Sequence, residues 1–563
     1  MQAITTAISD AGIQFFGREL IGSILADKLR SMAIPDRDIA IGRINIIYSY
    51  AENIRIRLTS GTLSGFSPRF IRVRQGANGA FGVDLEADDF DVRYAWRETY
   101  KYTSCSFVPM AGMICQSPKN KQGDYTYVPR ARAFKANVET RFAYNAGSDA
   151  YEVQTTGSNA TSDVAPNIPG GSIINREQQG CFTSNVSDAT AKAISSVDFR
   201  GAIQQVMPQL LRSIPASGKL TPDITFEFKL GDDKMTFPIP GILIAATGQA
   251  RWKNELYPGP VPEKLPLPSV PAGKHLRTYV SSYAVNGLYW AYFKAGGLDA
   301  IVKPADLTNP DLLRVDTYVD QIEAFQPYAG KVMYAHVSPK VAPAVDFREV
   351  WLYDRKVLDS LKPPALSPEA YTAVENAMGG KAYLTEQEAR TAATRAGVPP
   401  AFIDRVVNAA KQGGMVVEAT LGFRLVIQET SPERHLAFSL KRVDVLKDLA
   451  LGAQGEAQTL KFSFTRVSAK ATFDDTNIPD FDDSGFGQFI WPVVGEPRYV
   501  EAQQGLGKIG VPIPIMQGFS FRFESAELSV QRGFVSITAD VAFKRAALPA
   551  EVAQALHAAL AAA

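Results

Sequence analysis

The strongest constraint on the fold is a segment with six prolines, PGPVPEKLPLPSVP, between Pro258 and Pro271. Proline fixes φ and lacks a backbone N–H, so this density excludes a helix and a central strand. We therefore interpret residues 251–274 as an extended connector. It would join an N-terminal domain, residues 1–250, to a C-terminal domain, residues 275–548, each with ample chain for a hydrophobic core.

An amphipathic helix is predicted over residues 10–34, because apolar residues recur there at three- and four-residue spacings. Asp10 can cap this helix and Pro35 ends it. Several glycines lie on it, although each costs up to about 1 kcal/mol relative to alanine. They indicate that another backbone or a ligand comes close to the helix.

The sequence after this helix has the two-residue period of strands. Residues 54–58, IRIRL, alternate apolar and charged side chains, which predicts a sheet with one side in solvent. A change of apolar parity near Asp88–Asp89 indicates a β-bulge, which would let the sheet curl. Polar sequence up to about residue 190 favours loops, and residues 197–215 then favour a further helix.

The C-terminal part repeats this order. A helix is predicted over residues 281–297, SSYAVNGLYWAYFKAGG, with strands after it. Residues 365–414 are interpreted as a three-helix insert between two strands, with a capping box formed by Thr385 and Glu388. Alternation near the carboxyl end predicts closing strands, and the Ala-rich tail, residues 549–563, predicts a short helix.

Charge and composition exclude several functional classes. Lys plus Arg number 59 against 58 for Asp plus Glu, so a net charge of +1 argues against whole-molecule attraction to nucleic acid. The sequence shows neither a spanning apolar run nor a signal-peptide core. This predicts a soluble protein that either stays inside a cell or is numbered after processing.

The residues that usually carry chemistry are scarce. Cys105, Cys115 and Cys181 allow at most one disulfide and form no zinc motif. Four scattered histidines form no local catalytic or metal motif. No catalytic residue, metal or cofactor is predicted, and the chain is not expected to be an enzyme.

Two local motifs have simpler structural interpretations. Residues 505–510 spell G-x-G-x-x-G, but prolines follow where a helix must begin, so a turn before a strand is predicted instead of a nucleotide site. Residues 480–485 match the start of a calcium loop, but a tryptophan stands in place of the bidentate glutamate. Asp483 or Ser484 is expected to cap the helix that contains Phe489.

Three segments occur in an order that matches a known family. The first is the glycine-bearing helix AISDAGIQFFGRELIGSILADKLRSMAIPD, and the second is the proline connector leading into RTYVSSYAVNGLYWAYFKAGGL. The third runs from GFGQFIWPVV through a Gly-x-Pro-x-Pro turn to closing strands with an Asp-Val pair. Together they resemble the bactericidal/permeability-increasing protein and lipopolysaccharide-binding protein family, which includes lipid transfer proteins and belongs to the tubular lipid-binding superfamily.

The resemblance implies an α+β fold of two elongated, highly curved antiparallel half-barrels, each wrapped around a long helix and joined by a central sheet. It also implies one apolar groove per barrel, which holds an acyl chain of a phospholipid-like ligand. The residues expected in the N-terminal groove are Ile13, Phe16, Gly17, Leu20 and Ile24. Those expected in the C-terminal groove are Tyr283, Leu288, Tyr292, Phe293 and Phe489.

The chain departs from this family in three respects. Residues 82–98 are acidic before they are basic, unlike the lysine-rich tip of the family's antibacterial members, which argues against lipopolysaccharide binding. The cysteines do not match the family's disulfide. The helical insert and the Ala-rich tail have no counterpart.

Lipid binding or lipid transfer, with transient contact to a membrane, is the leading hypothesis. The alternative is a structural or interaction subunit that retains the double-barrel scaffold in a larger assembly and binds protein partners through residues 365–414. A third hypothesis, host-defence binding of lipopolysaccharide, would need a basic tip. The same helix stripes would also fill an ordinary core, so the sequence leaves groove and core open.

Overall fold

The computed structural model describes residues 2–21, 33–46, 48–145, 150–176, 180–196, 217–227, 230–238, 240–260, 264–352, 381–454, 457–483, 485–509, 511–512 and 520–544. These residues form a mixed α/β fold in which antiparallel strands dominate. The chain forms two compact units. The N-terminal unit contains Ile8–Ile214 and Thr236–Ile242, and the C-terminal unit contains Met1–Ala7, Pro215–Met235 and Leu243–Lys544.

This division differs from the predicted domains at residues 1–250 and 275–548. The reason lies in one strand, β1 (Ile4–Ile8), which is hydrogen-bonded between β14 (Ile242–Ala246) and β17 (Leu276–Ser281). Backbone hydrogen bonds therefore hold strands from the first half of the sequence in the C-terminal unit.

The proline segment lies inside the C-terminal unit and not at a boundary. The first residues of the predicted connector already form β15 (Gln249–Trp252) and β16 (Glu255–Leu256). The described residues between β16 and β17 form neither helix nor strand, as the prolines predict. Leu265 in this segment is buried against Tyr279 and Phe534.

The N-terminal unit contains a nine-stranded antiparallel sheet. Its order is β2-β3-β6-β9-β5-β4, with β10 paired to β9 and with β7 and β8 paired to β6. The strands are β2 (Arg37–Ile46), β3 (Ser49–Ser64), β4 (Pro68–Gln75), β5 (Ala80–Ala87), β6 (Phe90–Val108), β7 (Gly112–Cys115), β8 (Lys119–Tyr127), β9 (Arg130–Asn145) and β10 (Ala150–Ala165).

The predicted alternation of residues 54–58 is confirmed, because Ile54, Ile56 and Leu58 are fully buried while the arginines between them are exposed. The buried face packs against α3 (Gly180–Ser195), which follows the single turn α2 (Ile173–Arg176). Side chains on α3, with Val186 and Ala193 among them, complete this core.

Two predictions for this unit were wrong. Asp88–Asp89 does not form a bulge within one strand. It connects β5 to β6, and Asp89 has a left-handed φ of 53° that turns the chain. The polar sequence predicted as loops up to about residue 190 contains β8, β9, β10 and α3, while residues 197–215 lie outside the described part.

The predicted helix at residues 10–34 is described only in its first part. α1 (Asp10–Phe16) follows Ser9, whose Oγ accepts a hydrogen bond from Gly12 N at 3.1 Å, so Ser9 and not Asp10 is the cap. A π-helical turn continues α1 through Gly17–Ile21. Residues 22–32, Ile24 among them, lie outside the described residues.

One disulfide joins Cys105 at the end of β6 to Cys115 at the end of β7. The two residues are also cross-strand partners in the β6–β7 hairpin. The sequence allowed one bridge without assigning its partners. The side chain of Cys181 lies outside the described part.

The C-terminal unit contains three sheets. The first has the order β13-β14-β1-β17-β26-β25, the second β11-β12-β15-β16, and the third β18-β19-β21-β22-β23-β24 with β20 paired to β21. The strands not yet given are β11 (Ser217–Lys219), β12 (Ile224–Glu227), β13 (Leu230–Thr236), β18 (Ala300–Val302), β19 (Met333–Pro339), β20 (Ala344–Trp351), β21 (Lys411–Ile427), β22 (Arg434–Gln454), β23 (Ala457–Thr476), β24 (Val511–Pro512), β25 (Ser520–Gln531) and β26 (Phe534–Lys544).

The helix predicted over residues 281–297 is present as α4 (Ser282–Lys294), and most of its residues are buried. Two strands, β20 and β21, are paired directly, with Trp351 opposite Lys411. The helical insert leaves the sheet between these strands. It ends at Ala410 and not at residue 414, because Lys411 already belongs to the ladder.

Two helices of the insert are described, α5 (Glu386–Arg395) and α6 (Pro400–Ala410), and they bury small apolar residues in a core of their own. Residues 353–380, which include the first predicted helix, lie outside the described part, as does the tail at 549–563. Thr385 and Glu388 form the predicted capping box: Thr385 N donates to Glu388 Oε2 at 2.8 Å, and Glu388 N donates to Thr385 Oγ1 at 3.3 Å.

Thr385→Ala should free α5 to open locally, because loss of an N-cap hydroxyl costs about 1 kcal/mol. We expect amide hydrogen exchange in α5 to accelerate about fivefold. Exchange in α5 that is the same in wild type and variant would contradict the capping role of Thr385.

The capping box also predicts a pH dependence. The Lys381 ammonium and the Thr385 N–H lower the pKa of Glu388 to about 2. A lowered pKa stabilises the folded state above the ordinary value of 4.5, so this contribution should fade as the pH falls from 4.5 towards 2.

The carboxyl-terminal helical segment comprises α7 (Phe486–Ile490), a π turn at Trp491–Gly495 and α8 (Glu496–Ile509). The N-cap of α7 is Gly485 and not the predicted Asp483 or Ser484, although Asp483 Oδ1 accepts a hydrogen bond from Gly487 N in the first turn at 3.3 Å. Residues 505–509, predicted as a turn before a strand, instead form the end of α8, because the prolines begin only at residue 512. The glycines therefore end a helix, whereas a nucleotide site needs them to begin one.

The described residues offer neither a metal site nor a membrane-spanning helix. Among the described residues, no group of three histidine, cysteine, aspartate or glutamate side chains could hold a metal ion. No helix in the described ranges is long and apolar enough to span a membrane.

Candidate functional site

The candidate site lies at an open edge of the nine-stranded sheet, where α1 meets the edge strand β4. Gln14 on α1 pairs with this edge through its side-chain amide. Its Nε2 donates to Val73 O at 2.5 Å, and Val73 N donates to its Oε1 at 3.0 Å. The amide thus takes the place of a neighbouring strand and satisfies backbone groups that an edge leaves unpaired.

Gln75, the last residue of β4, uses its side-chain amide to bind the backbone of Gly241. Its Nε2 donates to Gly241 O at 2.6 Å, and Gly241 N donates to its Oε1 at 2.7 Å. The outward groups of a ladder recur every second residue, so the N–H and C=O of Ile71 also point away from β5. Within the described part of the chain, a side chain therefore covers this edge at Val73, and no hydrogen bond covers it at Ile71.

Gly17 lets the helix approach this edge closely. A Cβ at Gly17 would overlap the Val73 side chain. Beside this contact, Ile13, Val73 and Phe81 form a small buried cluster. The close approach that the glycines of this helix predict is thus to a strand.

A cleft of about 750 Å³ opens between α1 and β4. Phe70, Ile71 and Pro240 supply apolar surface, and Phe70 is 45% exposed. The polar part comes from α1 and from alternate residues of β4. The lining residues are Asp10, Gln14, Phe70, Ile71, Arg72, Val73, Arg74, Gln75 and Pro240.

The outer face of the sheet beside the cleft carries an ion network. Arg74 donates to both oxygens of Asp84 at 2.7 and 3.1 Å and to Glu139 Oε1 at 2.7 Å. These hydrogen bonds lower the pKa of Asp84 and raise that of Arg74. Asp84 and Glu139 therefore share the guanidinium of Arg74 within the sheet.

A second concavity of about 360 Å³ lies on this outer face. Phe70 and Arg72 line both the concavity and the cleft. Its polar wall includes Lys135 and Asn137 together with the carboxylates of Asp84 and Glu86. Arg72 is exposed and lies opposite Asp84 in the ladder, so a cation lies at the rim of the cleft, beside its apolar residues.

The predicted N-terminal groove residues have different environments. Ile13 and Gly17 are buried and Phe16 is half-buried, all on the α1 side of the β4 edge. The side chain of Leu20 and all of Ile24 lie outside the described part. Gln14, Phe70 and Gln75 were missed, because nothing in the sequence pairs α1 with β4.

The predicted C-terminal groove residues on α4 belong to a side-chain core. Tyr283 and Leu288 are buried in it, and Tyr292 packs against its margin. Phe293 is half-buried. Burial raises the pKa of Tyr292, as an apolar environment disfavours the phenolate.

Phe489 does not join these α4 residues. It lies on α7, is 56% exposed, and its ring centroid is 6.3 Å from that of Tyr318. Tyr318 belongs to a separate core cluster, so the five predicted residues are not brought into one groove.

A buried ionic cluster in the C-terminal unit was missed by the sequence analysis. Arg442 and Asp444 on β22 are both almost fully buried, and Arg442 Nε donates to the two Asp444 oxygens at 3.0 and 2.9 Å. Gln503 Nε2 donates to Asp444 Oδ2 at 3.2 Å, and Tyr499 lies under the guanidinium with its ring centroid 5.0 Å away. Leu440, Arg442 and Asp444 are alternate residues of one strand, so all three side chains point to the same, buried side of the sheet. Two charged residues in alternation with a buried leucine are the signal that could have identified the cluster.

Comparison with solved structures finds similar chains at low identity. Lipopolysaccharide binding protein is similar with a TM-score of 0.48 and 12% identity over 96% of this chain and 99% of that one. P47 from Clostridium botulinum A2 has a TM-score of 0.23 and 8% identity over 96% and 97%. Takeout 1 of Epiphyas postvittana has a TM-score of 0.18 and 11% identity over 35% and 92%. No family model and no curated protein sequence matches the chain.

Proposed function

We propose that the chain binds lipids and transfers them, and that the cleft between α1 and β4 admits an acyl chain. The observation that carries this proposal is the cleft itself, about 750 Å³ at the open edge of a sheet whose inner face is apolar. Transfer of an acyl chain from water contributes about 0.8 kcal/mol per CH2, so binding needs an apolar groove and a mouth but no catalytic group. No reaction chemistry is part of the proposal.

The residues at the cleft suit a phospholipid-like ligand. Phe70, Ile71 and Pro240 offer apolar contact to the acyl chain. Arg72 stands at the rim, where a phosphate would remain in water. The backbone N–H and C=O of Ile71, which point away from β5, can hydrogen-bond an ester.

Lipid analysis of the purified full chain tests this proposal. We expect native mass spectrometry and extraction to show a bound phospholipid or another long-chain amphiphile. We also expect uptake of a short-chain fluorescent phosphatidylcholine kept below its aggregation concentration. A protein free of lipid that also takes up no probe would overturn the proposal.

Phe70→Asp should weaken probe uptake at least tenfold, since it places a charge at the apolar wall. The matched control is Phe107→Asp, because Phe107 is also an exposed aromatic on the N-terminal unit but lies outside the cleft. Uptake should be unchanged in this control. Equal loss in both variants, or loss in neither, would exclude the cleft as the binding site.

A further inference from the structure

The hairpin formed by the end of β6 and β7 exposes an unusual amount of apolar surface. Among the described residues, five of the thirteen exposed large hydrophobic side chains lie within residues 107–114. Met110 at the turn is fully exposed, and Phe107 and Met113 face each other across the two strands. Such a concentration indicates an interaction site. The five residues are Phe107, Val108, Met110, Met113 and Ile114.

A disulfide bond holds the two strands of this hairpin together. A two-stranded hairpin alone is marginally stable in water. The Cys105–Cys115 disulfide closes its base, and closure removes much of the conformational entropy of the open chain. The bridge therefore fixes the shape of a tip whose apolar residues remain in solvent.

The charged residues beside the hairpin indicate what kind of surface it can bind. Residues 102–118 contain no charged side chain, while Lys101, Lys119 and Lys121 follow directly on either side. All three lysines are exposed. Within the part of the chain that the structure describes, none of them forms an ion pair, and the nearby Asp124 is bonded to Arg97. Three lysines without an ion-pair partner among the described residues, beside an uncharged tip, complement an anionic surface with an apolar interior.

The dimensions fit the interface of a bilayer. Val108 lies three residues beyond Cys105, about 10 Å at the usual rise of a strand. Tyr102, which pairs with Lys119, lies three residues on the other side of Cys105, again about 10 Å away. An apolar tip buried about 10 Å deep would leave the lysines at the level of the phosphates, which long side chains reach by bending towards them.

A second loop lies at the same end of the sheet. Ser49, at the start of β3, is the ladder partner of Ser104, and its Oγ accepts a hydrogen bond from Cys105 N at 3.3 Å. Tyr48, in the turn before it, is 51% exposed. Tyrosine is enriched at the boundary of a membrane because its ring is apolar and its hydroxyl remains hydrated.

We propose that the disulfide-closed hairpin of residues 102–118 docks the protein on anionic phospholipid bilayers, with its apolar tip in the acyl region and the three lysines at the headgroups. This surface is distinct from the α1–β4 cleft and does not depend on it. Docking would bring the chain to a lipid surface whether or not the cleft takes up lipid. A bilayer fits better than a protein groove, because the tip exposes apolar side chains on both of its faces.

Vesicle sedimentation with the full chain tests this proposal. We expect binding to vesicles of 70% phosphatidylcholine and 30% phosphatidylserine, and weaker binding to phosphatidylcholine alone. Phe107→Ser/Met110→Ser/Met113→Ser should weaken binding to both at least tenfold. Lys101→Gln/Lys119→Gln/Lys121→Gln should weaken binding to the anionic vesicles on the order of 100-fold and remove their advantage.

A matched control carries three serines at apolar residues that are exposed elsewhere, Leu267→Ser/Ile301→Ser/Val341→Ser, and should bind as wild type does. Unchanged melting temperatures would show that the tip variants are folded. Phe70→Asp should also leave vesicle binding unchanged, which separates docking from lipid uptake. Wild type that does not sediment with anionic vesicles would overturn the proposal. Self-association that the tip variant abolishes, without vesicle binding, would overturn it in favour of a second copy of the chain.

Discussion

Asp444→Ala is expected to destabilise the C-terminal unit by about 3–5 kcal/mol, because it leaves a buried guanidinium without its main partner. Arg442 is 1% exposed and makes two hydrogen bonds to Asp444. Its other carboxylate neighbour, Glu496, is partly exposed and lies 3.4 Å from Nη1. Thermal unfolding should show a large drop in the melting temperature of the transition assigned to this unit. Amide exchange in β22 should accelerate in the same variant.

An exposed ion pair in the same unit provides the control. Arg424 Nη2 lies 2.9 Å from Glu433 Oε1, but both side chains are about half exposed. Glu433→Ala should therefore cost no more than about 1 kcal/mol. If Asp444→Ala costs no more than this control, the buried cluster does not stabilise the unit.

Replacing both partners separates the cost of an orphaned charge from the contribution of the pair. Arg442→Met/Asp444→Leu should recover most of the stability lost in Asp444→Ala, since apolar residues can occupy a buried ion-pair site at little cost. A double variant as unstable as the single one would show that the pair itself contributes the stability.

The strands whose buried side is strongly apolar could be predicted from the sequence. Ile54, Ile56 and Leu58 show their alternation within five residues, and the structure buries all three. The helix at α4 was predicted for the same reason, because its apolar spacing is local. Short-range periodicity is therefore sufficient where one face of an element is clearly apolar.

The long strands β9 and β10 were mistaken for loops because their outward residues are polar or glycine. Lys135 pairs with Thr161, Asn137 with Asn159 and Glu139 with Gly157, all in one ladder. Serine, threonine, asparagine and glycine in sequence also favour turns. Only the partner strands reveal that these residues form the solvent face of a sheet.

The candidate cleft could not be predicted because its walls are far apart in sequence. Gln14 and Val73 are 59 residues apart, and Gln75 and Gly241 are 166 apart. The hairpin at residues 102–118 is different, since its uncharged stretch between lysines is visible in the sequence. What the sequence lacks there is the exposure of the side chains, which distinguishes a docking tip from a buried strand.

Gly17→Trp is expected to lower the stability of the N-terminal unit by about 1–3 kcal/mol, because an indole must displace the side chain of Val73. The displaced helix would also strain the two hydrogen bonds between Gln14 and Val73. Since α1 forms one wall of the cleft, we expect uptake of the fluorescent phosphatidylcholine to fall at least tenfold in the same variant. Thermal unfolding and probe uptake should be measured on one preparation.

A smaller change distinguishes crowding from a general loss of fold. Gly17→Ala brings only a Cβ against Val73, so it should be milder than Gly17→Trp, and the addition of Val73→Ala should relieve it. Non-additivity of the two alanine substitutions would confirm that Gly17 and Val73 are in contact. Unchanged lipid uptake together with a large loss of stability in Gly17→Trp would exclude α1 as a wall of the lipid cleft, because the packed contact would then serve folding alone.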